Sequence, residues 1–409
     1  MAQPPNIPIL CLRKALGRAL KQGHPWVYRD ALAQGTQLES GSLVMLAETP
    51  KGPPLAWGYW DAESPIAVRV LGMGPVLPES RVPAEIQARL EHALGRRLDR
   101  LDLGRTNAFR WAHGEADALP GIHVDVYGPS ATIRYDGQGA QGFYAQRMNL
   151  PALLIAAGAP AQIQSVVERK GRGQANVTGP GASKEPFVVF ENSLRFTVDL
   201  VNGQKGGLFL DQRENRARLA DHCVGKRVLN LFGYTGAFSV YAAAAGATFT
   251  DTVDIAAQAI VSAKANFQEN QLNLDRAAFH AQDAFAFLQS AIEKKQRWDV
   301  VITDPPSFAP NERSLEVAKA AYRRLHGLAC QVVAEGGLLA AASCSSHVNR
   351  KMFLETVVDG ATAAGCRFEL DFVAGAGFDH PVISAFPEGD YLKFALGRVL
   401  HHHQPLTIR

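Results

Sequence analysis

The chain is poor in cysteine, with five in 409 residues: Cys11, Cys223, Cys330, Cys344 and Cys366. No two form a C-x-x-C pair and the number is odd, which speaks against a disulfide scaffold and a structural zinc site. Scattered thiols suit a reducing cytoplasm. Long apolar runs are missing too. Nothing approaches the roughly 18 consecutive apolar residues of a membrane span. The opening stretch MAQPPNIPILCLRKALGR has neither the apolar core nor the small-residue cleavage site of a secretory signal. A large charge of one sign is also absent, the net being +3. Residues 1–220 hold 25 Lys+Arg against 20 Asp+Glu, and residues 221–409 hold 17 against 19. This mild basic bias toward the front permits contact with a polyanion and is far from a histone-like charge. His401, His402 and His403 read as solvated residues with no assigned metal.

What is present is globular composition, 47% hydrophobic and 20% charged. A chain of this length exceeds one ordinary core, so two or three domains are expected. Residues 1–80 carry the short β-like runs SLVMLAE, LAWGYW and IAVRVLG between Gly and Pro, the pattern of a small β-rich module. Residues 81–103 have apolar residues at helical spacing and begin a small α/β region reaching about residue 200. From there to residue 409 strand and helix alternate. RVLNLF, ATFTDTVD, AAFHAQD, WDVVITD, GLLAAAS, CRFELDFVA and YLKFALGRVL are the strand candidates. This spacing predicts an open, doubly wound, largely parallel sheet of seven strands with helices on both faces. Ligands of such sheets sit at the carboxyl ends of the strands.

The residues at those ends carry the chemistry. The first strand leads into Phe232-Gly233-Tyr234-Thr235-Gly236, a tight glycine turn that lacks the G-x-G-x-x-G of dinucleotide sites. A cofactor without a pyrophosphate, such as S-adenosylmethionine, suits it better, and a nicotinamide dinucleotide is disfavoured. Asp254 ends the second strand, where an acid can accept from ribose hydroxyls. Asp283 ends the third, where it can meet an adenine amino group. Either acid could instead be an ordinary helix N-cap. The fourth strand ends in Asp304-Pro305-Pro306-Ser307-Phe308. Two prolines fix the backbone beside the acid, and Phe308 can stack on a flipped base. D-P-P-[YF] by itself points to methylation of an exocyclic base nitrogen. Cys344, closing the fifth strand in AAASCSSHV, points elsewhere. Carbon 5 of cytosine is a weak nucleophile until a thiolate adds to carbon 6, and a cysteine here can supply that thiolate. Asp304 would offset charge developing on the ring. Cys223, Cys330 and Cys366 read as buried filler.

These stretches resemble the bacterial 23S ribosomal RNA cytosine-5 methyltransferases with an N-terminal PUA domain, the RlmI-like class I methyltransferases. The likeness runs through His24-Pro25-Trp26-Val27-Tyr28, GEADALPGIHVD (114–125), GQKGGLFLDQRENR (203–216), NLFGYTGAFS, VDIA, DPPSF, SCSSHV and DHPVISAFPEGDYLK, in family order. It implies a PUA-like RNA-binding domain over 1–80, a middle α/β domain over 81–200, and a Rossmann-like methyltransferase domain over 201–409. It implies S-adenosylmethionine as cofactor, held by Lys205, Phe232, Tyr234, Thr235, Gly236, Asp254, Asp283 and Asp304. Cys344 would be the nucleophile, Pro305, Pro306 and Phe308 would face the base, and the partner would be large-subunit ribosomal RNA. Arg13, Lys14, Arg18, Lys21 and Arg29 near Trp26 and Tyr28 suit phosphate contact and base stacking. Gly206, Ser307 and Ser346 depart from the family's usual threonine, lysine and histidine. Two other readings remain: methylation of a base nitrogen, such as guanine N7 or an exocyclic amine, and a non-catalytic ribosome-assembly factor that binds RNA. A symmetric homodimer is the common default for a chain of this kind.

Overall fold

The computed structural model describes residues 7–33, 37–171, 174–180, 185–309 and 312–401. The chain divides into two compact units. The first comprises Met1–Val189, Asp199–Gly206 and Phe378–Gly389, and the second comprises Phe190–Val198, Gly207–Gly377 and Asp390–Arg409.

The first unit holds two five-stranded sheets. One runs in the spatial order Ile9–Cys11, Leu43–Ala47, Ala56–Trp60, Ile66–Met73, Trp26–Tyr28, and the other runs Gln174–Thr178, Ser165–Gly171, Ser130–Tyr135, Ile122–Tyr127, Ala108–His113. Tyr59 and Leu71 of the first sheet share one core with Trp111 and Val124 of the second. The helix Val82–Leu98 buries Ile86, Leu90, Ala93 and Leu94, a stripe at helical spacing, in that core. Acids of the GEADALPGIHVD stretch bind it to its neighbours. Asp117 accepts both terminal nitrogens of Arg97, at 2.6 and 2.7 Å, and the His113 N–H at 2.7 Å. The segment Phe378–Gly389 is part of this unit. Asp379 accepts the Arg110 N–H at 2.8 Å through its carboxylate and Arg97 at 2.7 Å through its carbonyl.

The second unit is built on one seven-stranded sheet. Its strands are β1 (Arg227–Leu231), β2 (Phe249–Asp254), β3 (Ala277–Ala281), β4 (Trp298–Thr303), β5 (Val333–Ser343), β6 (Cys366–Ala374) and β7 (Lys393–His401). The order is β3-β2-β1-β4-β5-β7-β6. β1 to β5 pair in parallel, while β7 pairs antiparallel with both β5 and β6. Each of the seven lies on a run read as a strand from sequence. The helices are α1 (Arg213–Ala220), α2 (Ala237–Ala244), α3 (Ala257–Glu269), α4 (Ala284–Glu293), α5 (Leu315–Val332) and α6 (Arg350–Ala363). Small residues make the middle of β5: Ala340, Ala341 and Ala342 are buried, as a strand covered on both faces requires. α5 shows its inward stripe as Ala318, Tyr322, Leu325, His326, Ala329 and Cys330. Arg216 of α1 is fully buried and grips Glu191 through two bonds of 2.8 and 2.7 Å. Removing one partner of such a pair costs about 3–5 kcal/mol.

Two readings made from sequence alone are settled by burial. Cys223, Cys330 and Cys366 are buried, and desolvation raises all three thiols, that of Cys223 to about 12. His401 is half-buried rather than fully solvated. It ends β7, its Nε2 lies 3.0 Å from the Val333 carbonyl, and its Nδ1 lies 3.5 Å from Cys366 Sγ. The strand continues one residue further than its polarity suggested. His402 and His403 lie outside the described residues.

His326 gives a measurable consequence. It packs between Tyr322 and Phe353 with its Nε2 buried and without a partner among the described residues. Burial holds its imidazole down at about 4, against about 6.5 in an unfolded chain. The unfolded chain therefore takes up this proton first as pH falls, and stability is lost from about pH 6.5 down to about pH 4. At pH 5 the cost is about 2 kcal/mol. Urea unfolding followed through the second unit at pH 7 and pH 5 should show His326→Leu losing about that much less stability than wild type.

Candidate active site

The carboxyl ends of β1, β2, β4 and β5 lie along one edge of the sheet. β1 ends in the glycine turn. Phe232 and Tyr234 take left-handed backbone angles there, φ 57° and 47°, unusual for residues with a Cβ. Such strain persists where surrounding structure enforces it and is concentrated at binding sites. Gly233 cannot be replaced without a shift, since a Cβ would sit 2.7 Å from Thr252 Cγ2. Gly236 has φ +76°, and a Cβ would sit 2.8 Å from that of Ala263. The turn thus lies close against β2 and α3. Thr235 anchors it by donating to the Gly207 carbonyl at 2.8 Å, and Phe209 meets the Tyr234 ring edge-on at 5.3 Å.

Asp254 joins β2 to this turn. Its Oδ2 accepts the Tyr234 N–H at 2.9 Å and its Oδ1 accepts the Ala256 N–H at 2.8 Å. Each carboxylate oxygen has a second acceptor site, so a ligand hydroxyl can still be taken. Ile255 follows and is 73% exposed, a flat apolar surface beside the acid. Asp283 is exposed and caps α4, accepting the Ala286 N–H at 2.9 Å. The Gln282 N–H bonds to the Asp254 carbonyl at 3.0 Å, which brings the ends of β2 and β3 together. Two buried polar atoms near these ends, Asn230 Oδ1 and Thr303 Oγ1, have no partner among the described residues. Lys205 belongs to the turn Gln204–Gly207, and its side chain lies outside the described atoms.

Asp304 is half-buried at the end of β4, with its Oδ2 accepting Gln212 Nε2 at 3.0 Å. Gln212 is held in turn by Asn215, which donates to Gln212 Oε1 at 2.7 Å and to the Gly375 carbonyl at 3.0 Å. Pro305 is buried, Pro306 exposed and Phe308 half-buried, its ring 4.8 Å from that of Tyr322.

The triplet Ser343-Cys344-Ser345 divides into two kinds of residue. Both serines are fully buried. Ser343 Oγ donates to the Tyr322 hydroxyl at 2.9 Å, and Ser345 Oγ lies 3.0 Å from the same oxygen and 3.0 Å from Ser307 Oγ. Cys344 stands between them and is half-buried. The serines tie the strand end to α5 and to the loop after β4, while Cys344 between them keeps partial exposure. Lys393, the first residue of β7, is fully buried. It donates to the Ser345 carbonyl at 2.6 Å and to the Tyr391 carbonyl at 2.8 Å. Burial lowers its amine to about 8, while Cys344 and then Asp390 act to raise it and Arg350 to lower it.

Sequence reading missed Gln212, Tyr322, Tyr391 and Lys393 as neighbours of the site. Gln212, Tyr391 and Lys393 stood inside quoted stretches, yet only the fold shows that Tyr391 donates to Asp211 at 2.6 Å. The basic and aromatic cluster of the first unit is only partly assembled for a ligand. Trp26 is used internally: its indole N–H donates to Glu115 at 2.8 Å, and its ring meets Phe386 at 4.6 Å and lies under Arg69. Arg29 donates to the Asp61 and Ser64 carbonyls. Tyr28 is 41% exposed.

Residues 143–371 match the model of the S-adenosylmethionine-dependent methyltransferases, and residues 10–72 match that of the PUA-like domain. Proteins named ribosomal RNA large subunit methyltransferase I are similar along nearly the whole chain. That of Shewanella denitrificans is 34% identical, covering 95% of this chain and 98% of the relative. That of Escherichia coli is 32% identical, covering 96% and 99%. The chain belongs to the S-adenosylmethionine-dependent methyltransferase family. Among solved structures, a SAM-dependent methyltransferase from Streptococcus mutans superposes with a TM-score of 0.82 at 22% identity, covering 96% of this chain and all of that one. A methyltransferase complexed with SAH also superposes at 0.82, with 23% identity. At that identity the likeness concerns the fold, which is that of class I methyltransferases. A methyltransferase cofactor brings a flat adenine, ribose hydroxyls and an amino-acid end without phosphate, and the glycine turn, Asp254 and exposed Ile255 fit those groups.

The hydroxyl node beside Cys344 can be tested directly. Tyr322→Phe removes the acceptor of the buried Ser343 hydroxyl and one of the partners of Ser345 Oγ, which keeps Ser307, and should cost about 1–3 kcal/mol in urea unfolding, with the Phe308 contact retained. An unchanged midpoint would mean that the node carries no strand-end stability.

Proposed function

We infer that this chain methylates carbon 5 of a cytosine in large-subunit ribosomal RNA, with Cys344 as nucleophile. The observation that carries the reading is the half-buried Cys344, held between two fully buried serines at the end of the strand next to Asp304. The names of the curated relatives support ribosomal RNA as substrate, and the PUA-like match supports RNA binding.

S-adenosylmethionine, when bound, supplies an electrophilic methyl group. Asp254 accepts its ribose hydroxyls, the turn Phe232 to Gly236 receives its amino-acid end, and Asp283 faces its adenine. Lys205 joins the cofactor set on the family resemblance alone. Pro305, Pro306 and Phe308 form the wall against which the flipped base rests. The Cys344 thiolate would add to carbon 6 of the ring, and electron density would move to carbon 5, which would take the methyl group as its bond to the sulfonium breaks and the sulfur leaves as a neutral thioether. Asp304 offsets charge on the ring as this happens. A base then removes the carbon 5 proton, the carbon–sulfur bond breaks, and the thiolate is returned.

Two experiments test this. Purified wild type, labelled S-adenosylmethionine and unmodified large-subunit RNA should yield label in 5-methylcytidine, identified by mass after digestion, and Cys344→Ala should abolish it. Label in a methylated guanine or adenine, indifferent to Cys344, would overturn the cysteine route. Separately, Asp254→Ala should weaken cofactor binding at least tenfold by titration calorimetry, since two ribose hydrogen bonds to a charged group are lost.

A further inference from the structure

The thiol needs an activating group, because an ordinary cysteine is only a few per cent thiolate at neutral pH. Lys393 is the cation built into the place where one is needed. It is fully buried. Lysine is rarely buried without a paired acid, and among the described residues Lys393 has no ion pair within reach; its bonds go to two carbonyl oxygens. Those bonds are placed around one residue. Ser343 is the register partner of Lys393 across the β5–β7 ladder, and the Ser345 carbonyl accepts its Nζ. The two chain neighbours of Cys344 are therefore both fixed by Lys393.

We propose that Lys393 is a positioning residue for Cys344: its ammonium clamps the turn after β5 through the Ser345 carbonyl and supplies the positive charge that keeps the thiol ionised. The proposal rests on Cys344 being the nucleophile. Electrostatic coupling between two titrating groups is reciprocal, so a thiolate that favours the ammonium is favoured by it to the same degree. Three charged groups act on the amine: Cys344 and Asp390 favour its protonated form, and Arg350, itself bonded to Asp390 at 3.2 Å, opposes it. Burial brings the amine down to about 8. It is thus mostly ammonium at neutral pH, and the charge is withdrawn as pH rises past about 8.

The test reads the thiol itself. The full chain is alkylated with iodoacetamide from pH 6 to pH 10, and the peptides bearing Cys344 and Cys11 are quantified by mass. In wild type, Cys344 should titrate below the ordinary thiol value of about 8.5. A Cys344 midpoint at or above that value would overturn the proposal without any variant. Lys393→Met should move the Cys344 midpoint up by at least one pH unit, about a tenfold loss of thiolate at fixed pH. Lys393→Arg should hold it near wild type, since arginine keeps the charge. The Cys11 profile and a cooperative melt report that each variant is folded. A folded Lys393→Met with an unmoved Cys344 midpoint would overturn the proposal. Neither readout uses RNA, so the identity of the methylated base stands or falls separately. A chain that makes no 5-methylcytidine could still show the shifted thiol, and one that makes it could lack the shift.

Discussion

The parallel pairing of β1 with β2 and β4, and of β4 with β5, is the constraint on which the site depends. Parallel strands all end on the same edge, and each return needs a crossover of a dozen or more residues, here helices. Residues far apart in the chain, from Phe232 to Cys344, reach one edge of the sheet for that reason alone. The antiparallel insertion of β7 between β5 and β6 adds a second consequence. It covers the outer edge of β5, which would otherwise present unpaired backbone groups. It also delivers Lys393 opposite Ser343, where no residue of the parallel part could arrive.

Burial then separates the rigid parts of the strand end from Cys344, the residue proposed to react. Ser343, Ser345 and Tyr322 have no access to water, so their hydroxyls must satisfy one another, and in doing so they fix the strand end. Asp304 is steadied by Gln212, and Gln212 by Asn215. Cys344 is the half-buried member of its triplet. A nucleophile needs this combination, because an unconstrained thiol loses orientation and a buried one loses both access and its charged form. The raised thiols of Cys223, Cys330 and Cys366 show what burial does to cysteines elsewhere in the same chain.

The first unit uses its acids differently. Glu115, Asp117 and Asp379 meet arginines and backbone N–H groups in a largely buried network, so GEADALPGIHVD and the DHP stretch hold structure together. Trp26, attractive from sequence as a stacking platform, is enclosed by Phe386, Arg69 and Glu115. An indole N–H that is buried needs an acceptor, and Glu115 meets that need.

The sequence by itself determined the seven strands and their helices, because periodicity and strand-end residues are local signals. It determined that Asp254, Asp283, Asp304 and Cys344 stand at strand ends, since Pro, Gly and cap residues mark those ends in the chain. The three buried cysteines were legible too, as small apolar residues in apolar stretches. Tertiary structure decided the rest. Tyr322 and His326 read as one helical stripe, and nothing local says that one hydroxyl joins the Cys344 strand while the neighbouring ring has a nitrogen without a partner among the described residues. Lys393 stands in a strand run with no role read for it from sequence, yet the sheet order buries it beside Ser343 and Ser345. His401 was read as solvent-facing and is packed, because strand pairing extended past the last apolar residue. Side-chain partners across a sheet depend on strand order, and strand order is a property of the whole chain that no local window contains.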